Sequence, residues 1–134
     1  MPADLNHVAV VGRLTRDPEL RYTAGGEAVC LMRVAVTGRA RADDGWTDRP
    51  NFLDVTVFGR PAEACAEHLR RGRRVGVTGR LAWREWRTQE GARREAVQIM
   101  AHAVQYLDPP PGGDDERRRP ERDEEVRRVD DRAA

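Results

Sequence analysis

At 134 residues and 15.2 kDa the chain has room for one domain and too little for a second with its own core. All 24 of its cationic side chains are Arg, and it contains neither Lys nor Ser. Serine-nucleophile, Schiff-base-lysine and Walker-lysine chemistry are therefore excluded. The formal net charge of +1 divides after Leu107 into a body with 17 Arg against 13 carboxylates, +4, and a remainder with 7 Arg against 10, −3. Apolar residues divide the same way, 48 before Asp108 and 4 after it, with all seven aromatics in the body. Only residues 1–107 have the composition to fold on their own.

The start, Met1-Pro2-Ala3-Asp4, lacks a basic stretch followed by an apolar one, and no apolar run approaches the ~18 residues of a membrane span, which predicts a cytosolic protein. Short β-branched segments then follow one another, separated by Gly and polar clusters, and predict strands over 6–14, 28–37, 51–58, 74–86 and 93–107. The segment 38–49, with Asp43-Asp44-Gly45, reads as a long polar loop, and Thr88-Gln89-Glu90-Gly91 as the turn of a hairpin. Between the third and fourth strands, 61–71 predicts one helix of about three turns. Pro61 suits its first turn, Ala62, Cys65, Ala66 and Leu69 share a face, and Gly72 stops it. Three strands, a helix and two strands give an all-β fold, a five-stranded Greek-key barrel of the oligonucleotide/oligosaccharide-binding (OB) type with the helix plugging one end. From 108 to 134, Pro109-Pro110-Pro111-Gly112-Gly113 leads into mixed charge, 17 of 27 residues, and predicts a disordered tail.

Alternation along the strands sorts side chains onto two faces. In 51–58, Leu53, Val55 and Val57 share the core face, while Phe52, Asp54, Thr56 and Phe58 share the other. In 74–86, Val75, Val77 and Leu81 lie opposite Arg74, Thr78, Arg80, Arg84 and Trp86. In 28–37, Cys30, Met32, Val34 and Val36 are core-facing and Arg33 is turned away. Aromatics interleaved with Arg on a non-core face suit a single nucleic-acid strand, because bases stack on rings while guanidinium groups meet phosphates. The same face equally suits burial under a loop or a neighbouring subunit. Trp83, on the core parity, and Trp46, in the predicted loop, read as core or interface residues.

His7, His68 and His102 fall on separate elements, and Asp4, Asp17, Glu19 and Glu27 read as solvated loop carboxylates, so no metal and no cofactor is expected. Without clustered carboxylates or a metal site the chain is not expected to be an enzyme. Cys30 and Cys65 take apolar positions without a C-x-x-C spacing and read as buried, inert thiols. Arg70-Arg71-Gly72-Arg73-Arg74 reads as a phosphate contact or a solvated helix end, with the contact preferred.

Several stretches taken together are similar to the bacterial single-stranded DNA-binding protein family. They are Val10-Val11-Gly12-Arg13-Leu14-Thr15-Arg16-Asp17-Pro18-Glu19-Leu20-Arg21-Tyr22, Gly25-Gly26-Glu27-Ala28-Val29, Val57-Phe58-Gly59-Arg60-Pro61-Ala62-Glu63, Leu69-Arg70-Arg71-Gly72 and Val77-Thr78-Gly79-Arg80-Leu81. The resemblance runs from about Asn6 to about Leu107. It implies an OB barrel assembled as a homotetramer, cytoplasmic and nucleoid-associated, that wraps single-stranded DNA during replication, recombination, repair or chromosome segregation. Carried over by position, it implies stacking by Phe52, Phe58 and Trp86 and phosphate contacts by Arg60, Arg71 and Arg84. Arg13 from the first motif, with Arg33 and Arg80 from the strand faces, completes the candidate set. Two departures stand out. Gly38-Arg39-Ala40-Arg41 occupies the place where relatives often have a further tryptophan. The last residues, Val126-Arg127-Arg128-Val129-Asp130-Asp131-Arg132-Ala133-Ala134, lack the acidic tip with a terminal hydrophobic pair that docks repair enzymes, so a paralogue without that docking is expected. Two competing classes are an OB-fold interaction module of the replication-restart kind, whose aromatic face is sealed by protein, and an enzyme acting on nucleic acid.

Overall fold

The computed structural model describes residues 3–108, so the expected tail lies, apart from Asp108, outside the described residues. Six strands and one helix follow in the order β1 (Val8–Leu14), β2 (Glu19–Tyr22), β3 (Ala28–Ala42), β4 (Gly45–Phe58), α1 (Arg60–His68), β5 (Arg74–Arg87) and β6 (Arg93–Tyr106). They form one sheet in the order β1-β5-β6-β4-β3-β2. The long β3 pairs with β4 on one edge and divides its other edge between β2 at Ala28–Leu31 and β1 at Val34 and Ala35. That second pairing, Arg13↔Ala35 and Leu14↔Val34, closes β1, β5, β6, β4 and β3 into the five-stranded barrel expected from the sequence. β2 is an addition to it, a four-residue strip on the rim with only Leu20 packed against the core, too short to show periodicity.

Core-facing parity selects the buried residues. Cys30, Met32 and Val34 of β3, Val55 and Val57 of β4, Val75 and Val77 of β5 and Ile99 of β6 are all buried, with Leu14 of β1 beside them. Strands cross closely where glycine replaces a side chain: a Cβ on Gly12 would collide with the Ala35 carbonyl at the seam, and one on Gly79 with the Met100 carbonyl. Opposite Thr78 and Gly79, β6 carries one extra residue, His102, so the inward phase passes from Ile99 and Ala101 to Val104.

Three expectations are corrected. Residues 38–49 are not a loop: β3 and β4 run on as a two-stranded arm to Ala42 and Gly45, turning at Asp43-Asp44. The arm is polar on both faces, so no apolar alternation marks it, and backbone pairing with the opposed Arg39↔Asp48 charges carries it. The helix ends at His68 rather than Arg71. Leu69 is already extended, at φ −103° and ψ 151°, and turns its side chain into the core, where Ala62 and Cys65 also close the barrel end. Trp83, read as core or interface, is 55% exposed and so lies outside the core, because β5 and β6 have by then left the barrel as a second arm; the interface reading is left standing.

Candidate functional site

The outward parity of β3, β4, β6 and β5 forms one continuous face. Along β4 it carries Phe52 and Phe58, 52% and 40% exposed, as large apolar side chains in water. Arg33, on β3 diagonal to Phe52, holds its guanidinium carbon 5.4 Å from the Phe52 ring centre, and its Nη1 lies 3.3 Å from Asp54 Oδ1. On the β5 arm Arg84 and Trp86 alternate on the same side. The Arg84 guanidinium carbon sits 4.4 Å above the Trp86 ring, itself 40% exposed. A flat cation held against an aromatic plane leaves its N–H edges free for phosphate oxygens.

Between these two stacked pairs, β4 and β6 meet in parallel, and the Thr56 hydroxyl donates to Gln98 Oε1 at 2.7 Å. A pocket of about 130 Å³ opens there, lined by Arg16, Leu31, Asp54, Thr56, Arg84 and Gln98 among others. Parity placed Asp54 and Thr56 on this face and assigned them no role. Gln98 was findable by the same alternation along the last strand. Arg16 comes from the β1–β2 connection, where no alternation exists to reveal it.

The other candidate arginines divide. Arg80 is exposed on the β5 row, and Arg60 begins α1 two residues after Phe58; neither has a carboxylate partner among the described residues. Arg71 lies in the turn into β5, where its backbone N–H donates to Asp17 Oδ1 at 2.8 Å and its side chain is exposed. Arg13 is engaged elsewhere. Its Nη1 donates to the Gly72 carbonyl at 3.0 Å and pairs at 3.2 Å with Asp108, whose Oδ2 also accepts the Arg74 backbone N–H at 2.9 Å. The fold thus uses Arg13 to fasten the end of β6 to β1 rather than to join the aromatics. A third stacked pair, Arg39 with its guanidinium carbon 5.8 Å from the Trp46 ring, lies on the β3–β4 arm. The sequence reading missed it by treating the arm as loop.

Both thiols are in the core. Burial pushes Cys30 up to about 11, with the neighbouring Cys65 adding to it. Burial likewise raises Cys65, opposed by the Tyr106 hydroxyl, which donates to its Sγ at 3.9 Å. Tyr106 is raised too, by burial first and then by Cys65. Among the described residues no group of three or more His, Cys, Asp or Glu is placed to hold a metal ion, and no helix is long and apolar enough to cross a membrane.

A model of the single-strand binding protein family matches residues 5–107. The single-stranded DNA-binding protein of Treponema pallidum is 45% identical over 105 residues, covering 78% of this chain and 59% of that protein. Single-stranded DNA-binding protein A of Bacillus subtilis is 40% identical over 105 residues, covering 78% and 60%. The chain thus spans about three-fifths of the length of these curated relatives. Among solved structures, a Plasmodium falciparum SSB in complex with ssDNA superposes with a TM-score of 0.73 at 23% identity, covering 81% of this chain and 99% of that one, a likeness of fold.

Proposed function

The chain belongs to the single-strand binding protein family, and from that premise we propose that it holds single-stranded DNA, with little regard to sequence, across the outer face of β3, β4, β6 and β5. The observation that carries this reading is the pair of stacks on one face, Arg33 on Phe52 and Arg84 on Trp86. Bases insert on Phe52, Phe58 and Trp86, each worth about 1–3 kcal/mol gross. Arg60, Arg71, Arg80 and Arg84 meet phosphates, and at about −0.7 each they give a slope near −3 for log affinity against log salt per subunit. Arg33 contributes less charge, being neutralised by Asp54. Arg13 contributes to holding the barrel together instead.

Leu81, Trp83 and Val97 leave apolar surface on the reverse side of the β5–β6 arm, which supports assembly with further copies, a homotetramer. Linked sites then raise avidity without new contacts. Such a protein protects exposed strands in replication, recombination or repair, from the cytoplasm and nucleoid, and needs no cofactor or catalysis.

Titration with oligo-dT of increasing length, followed by tryptophan fluorescence with oligomer mass measured in parallel, tests this. Quenching at Trp86 is expected; an unquenched, non-binding protein would return the face to the interaction-module reading. If Phe52, Phe58 and Trp86 all changed to Ala left affinity intact in a folded oligomer, the site would lie elsewhere.

A further inference from the structure

Phosphate contact accounts for the arginines of this face and does not account for Asp54. A carboxylate in the middle of a surface for a polyanion is repulsive within the roughly 10 Å reach of charge in salt water. Arg33 engages one of its oxygens, and Oδ2 has no protein partner among the described residues. Across the same pocket the Gln98 amide is fixed through its Oε1 by the Thr56 hydroxyl, only 6% exposed, and Nε2 has no protein partner among the described residues. One residue with an open acceptor and one with an open donor thus line a single space, with apolar Leu31 and Ala96 beside them and Arg16 and Arg84 at hand for phosphate. The pocket, about 130 Å³, is near the roughly 150 Å³ that accommodates one six-membered aromatic ring.

We infer that this pocket takes one pyrimidine of the bound strand and favours cytosine over thymine. Asp54 accepts from the exocyclic 4-amino group, and Gln98 Nε2 donates to the ring N3 of the same base, an acceptor in cytosine and an N–H in thymine. Thymine presents a carbonyl where cytosine has the amino group, and so sets lone pairs against the carboxylate. Stacking is indifferent to this difference, since every base has a π-face. The inference rests on the strand-binding reading above and adds a base preference at one position of a surface that is otherwise sequence-tolerant.

The test is fluorescence anisotropy with labelled oligo-dC and oligo-dT of equal length, in mildly alkaline buffer where cytosine N3 is unprotonated, on the wild-type chain, Asp54→Ala and Gln98→Leu. For Asp54→Ala the preference for dC over dT is expected to fall about five-fold, the low end for one base-edge contact at an exposed site. Because the change also releases Arg33, affinity for both strands rises, and the ratio separates base reading from charge. An equal gain for both strands with an unchanged ratio overturns the inference and leaves Asp54 as a mask on Arg33. Gln98→Leu keeps the Arg33–Asp54 pair and is expected to lower the ratio as well, which preserves the test if Asp54→Ala fails to fold. A wild-type protein that binds neither strand refutes the strand-binding reading itself, a result distinct from an unchanged ratio.

Discussion

Replacing Trp86 by Ala separates stacking from charge. The ring stands on an arm outside the barrel, with the Arg84 guanidinium carbon 4.4 Å from its centre. Removing it costs one base platform, about 2 kcal/mol, which is roughly a 30-fold loss of affinity at that site. The charge of Arg84 stays, so the salt slope is expected to hold. Folding loses only an exposed cation–π contact, about 0.5 kcal/mol, which lowers Tm by roughly 2–4 °C in a domain of this size. Anisotropy of a labelled oligo-dT across a salt series, beside thermal unfolding by circular dichroism, measures all three, and Trp86→Phe should recover most of the affinity. Unchanged affinity in the folded variant would refute stacking at Trp86. A loss accompanied by a slope flatter by about 0.7 would show that the ring acts by positioning Arg84 on a phosphate.

Three further outcomes are expected. Arg80→Ala, at an exposed position without a carboxylate partner among the described residues, should reduce the salt slope by about 0.7 and leave Tm in place, read from the same salt series. Gly12→Ala, whose new Cβ meets the Ala35 carbonyl where β1 and β3 close the barrel, should destabilise by about 1–3 kcal/mol in urea unfolding. Cys30 is held protonated by burial, up to about 11 from an ordinary 9.0. The unfolded thiol ionises first, so its stabilising effect is complete below about pH 9 and is lost as pH rises toward 11, with Cys65 and Tyr106 shifted the same way. Urea midpoints should fall across that window, and thiol reagents should modify the native protein only as fast as it unfolds.

The barrel was legible because its strands alternate cleanly: Val55 and Val57, Cys30 and Met32, Val75 and Val77 are buried where parity puts them. Parity also turned Phe52, Phe58, Arg84 and Trp86 outward, and the fold gathers them on one face. It failed where alternation stops reporting burial. Arg39, Arg41 and Asp48 pair across an arm whose two faces both meet water, so the ladder there left no mark in hydropathy. Trp83 kept the phase of the core after its strand had left the core. Arg13 looked like Arg33 or Arg80, a cation in a strand, and only the return of Asp108 past β1 gives it another task. The Asp54–Gln98 pocket joins residues 44 positions apart through a parallel pairing of two strands, a contact that neither local spacing nor charge announces.

The single residue inserted at His102 divides β6 into two stretches with independent frames. Upstream of it, the frame decides which side chains, Gln98 among them, are offered to whatever lies on the open face. Downstream, the frame decides that Val104 meets the core. Deleting His102 would restore unbroken alternation with Val104 still inside, whereas drawing His102 into regular pairing would trade Val104 for Ala103 and Gln105 on the inside. The strand thus carries one residue that the ladder does not count, and Ile99 and Ala101 on one side of it and Val104 on the other all reach the core because the bulge absorbs it.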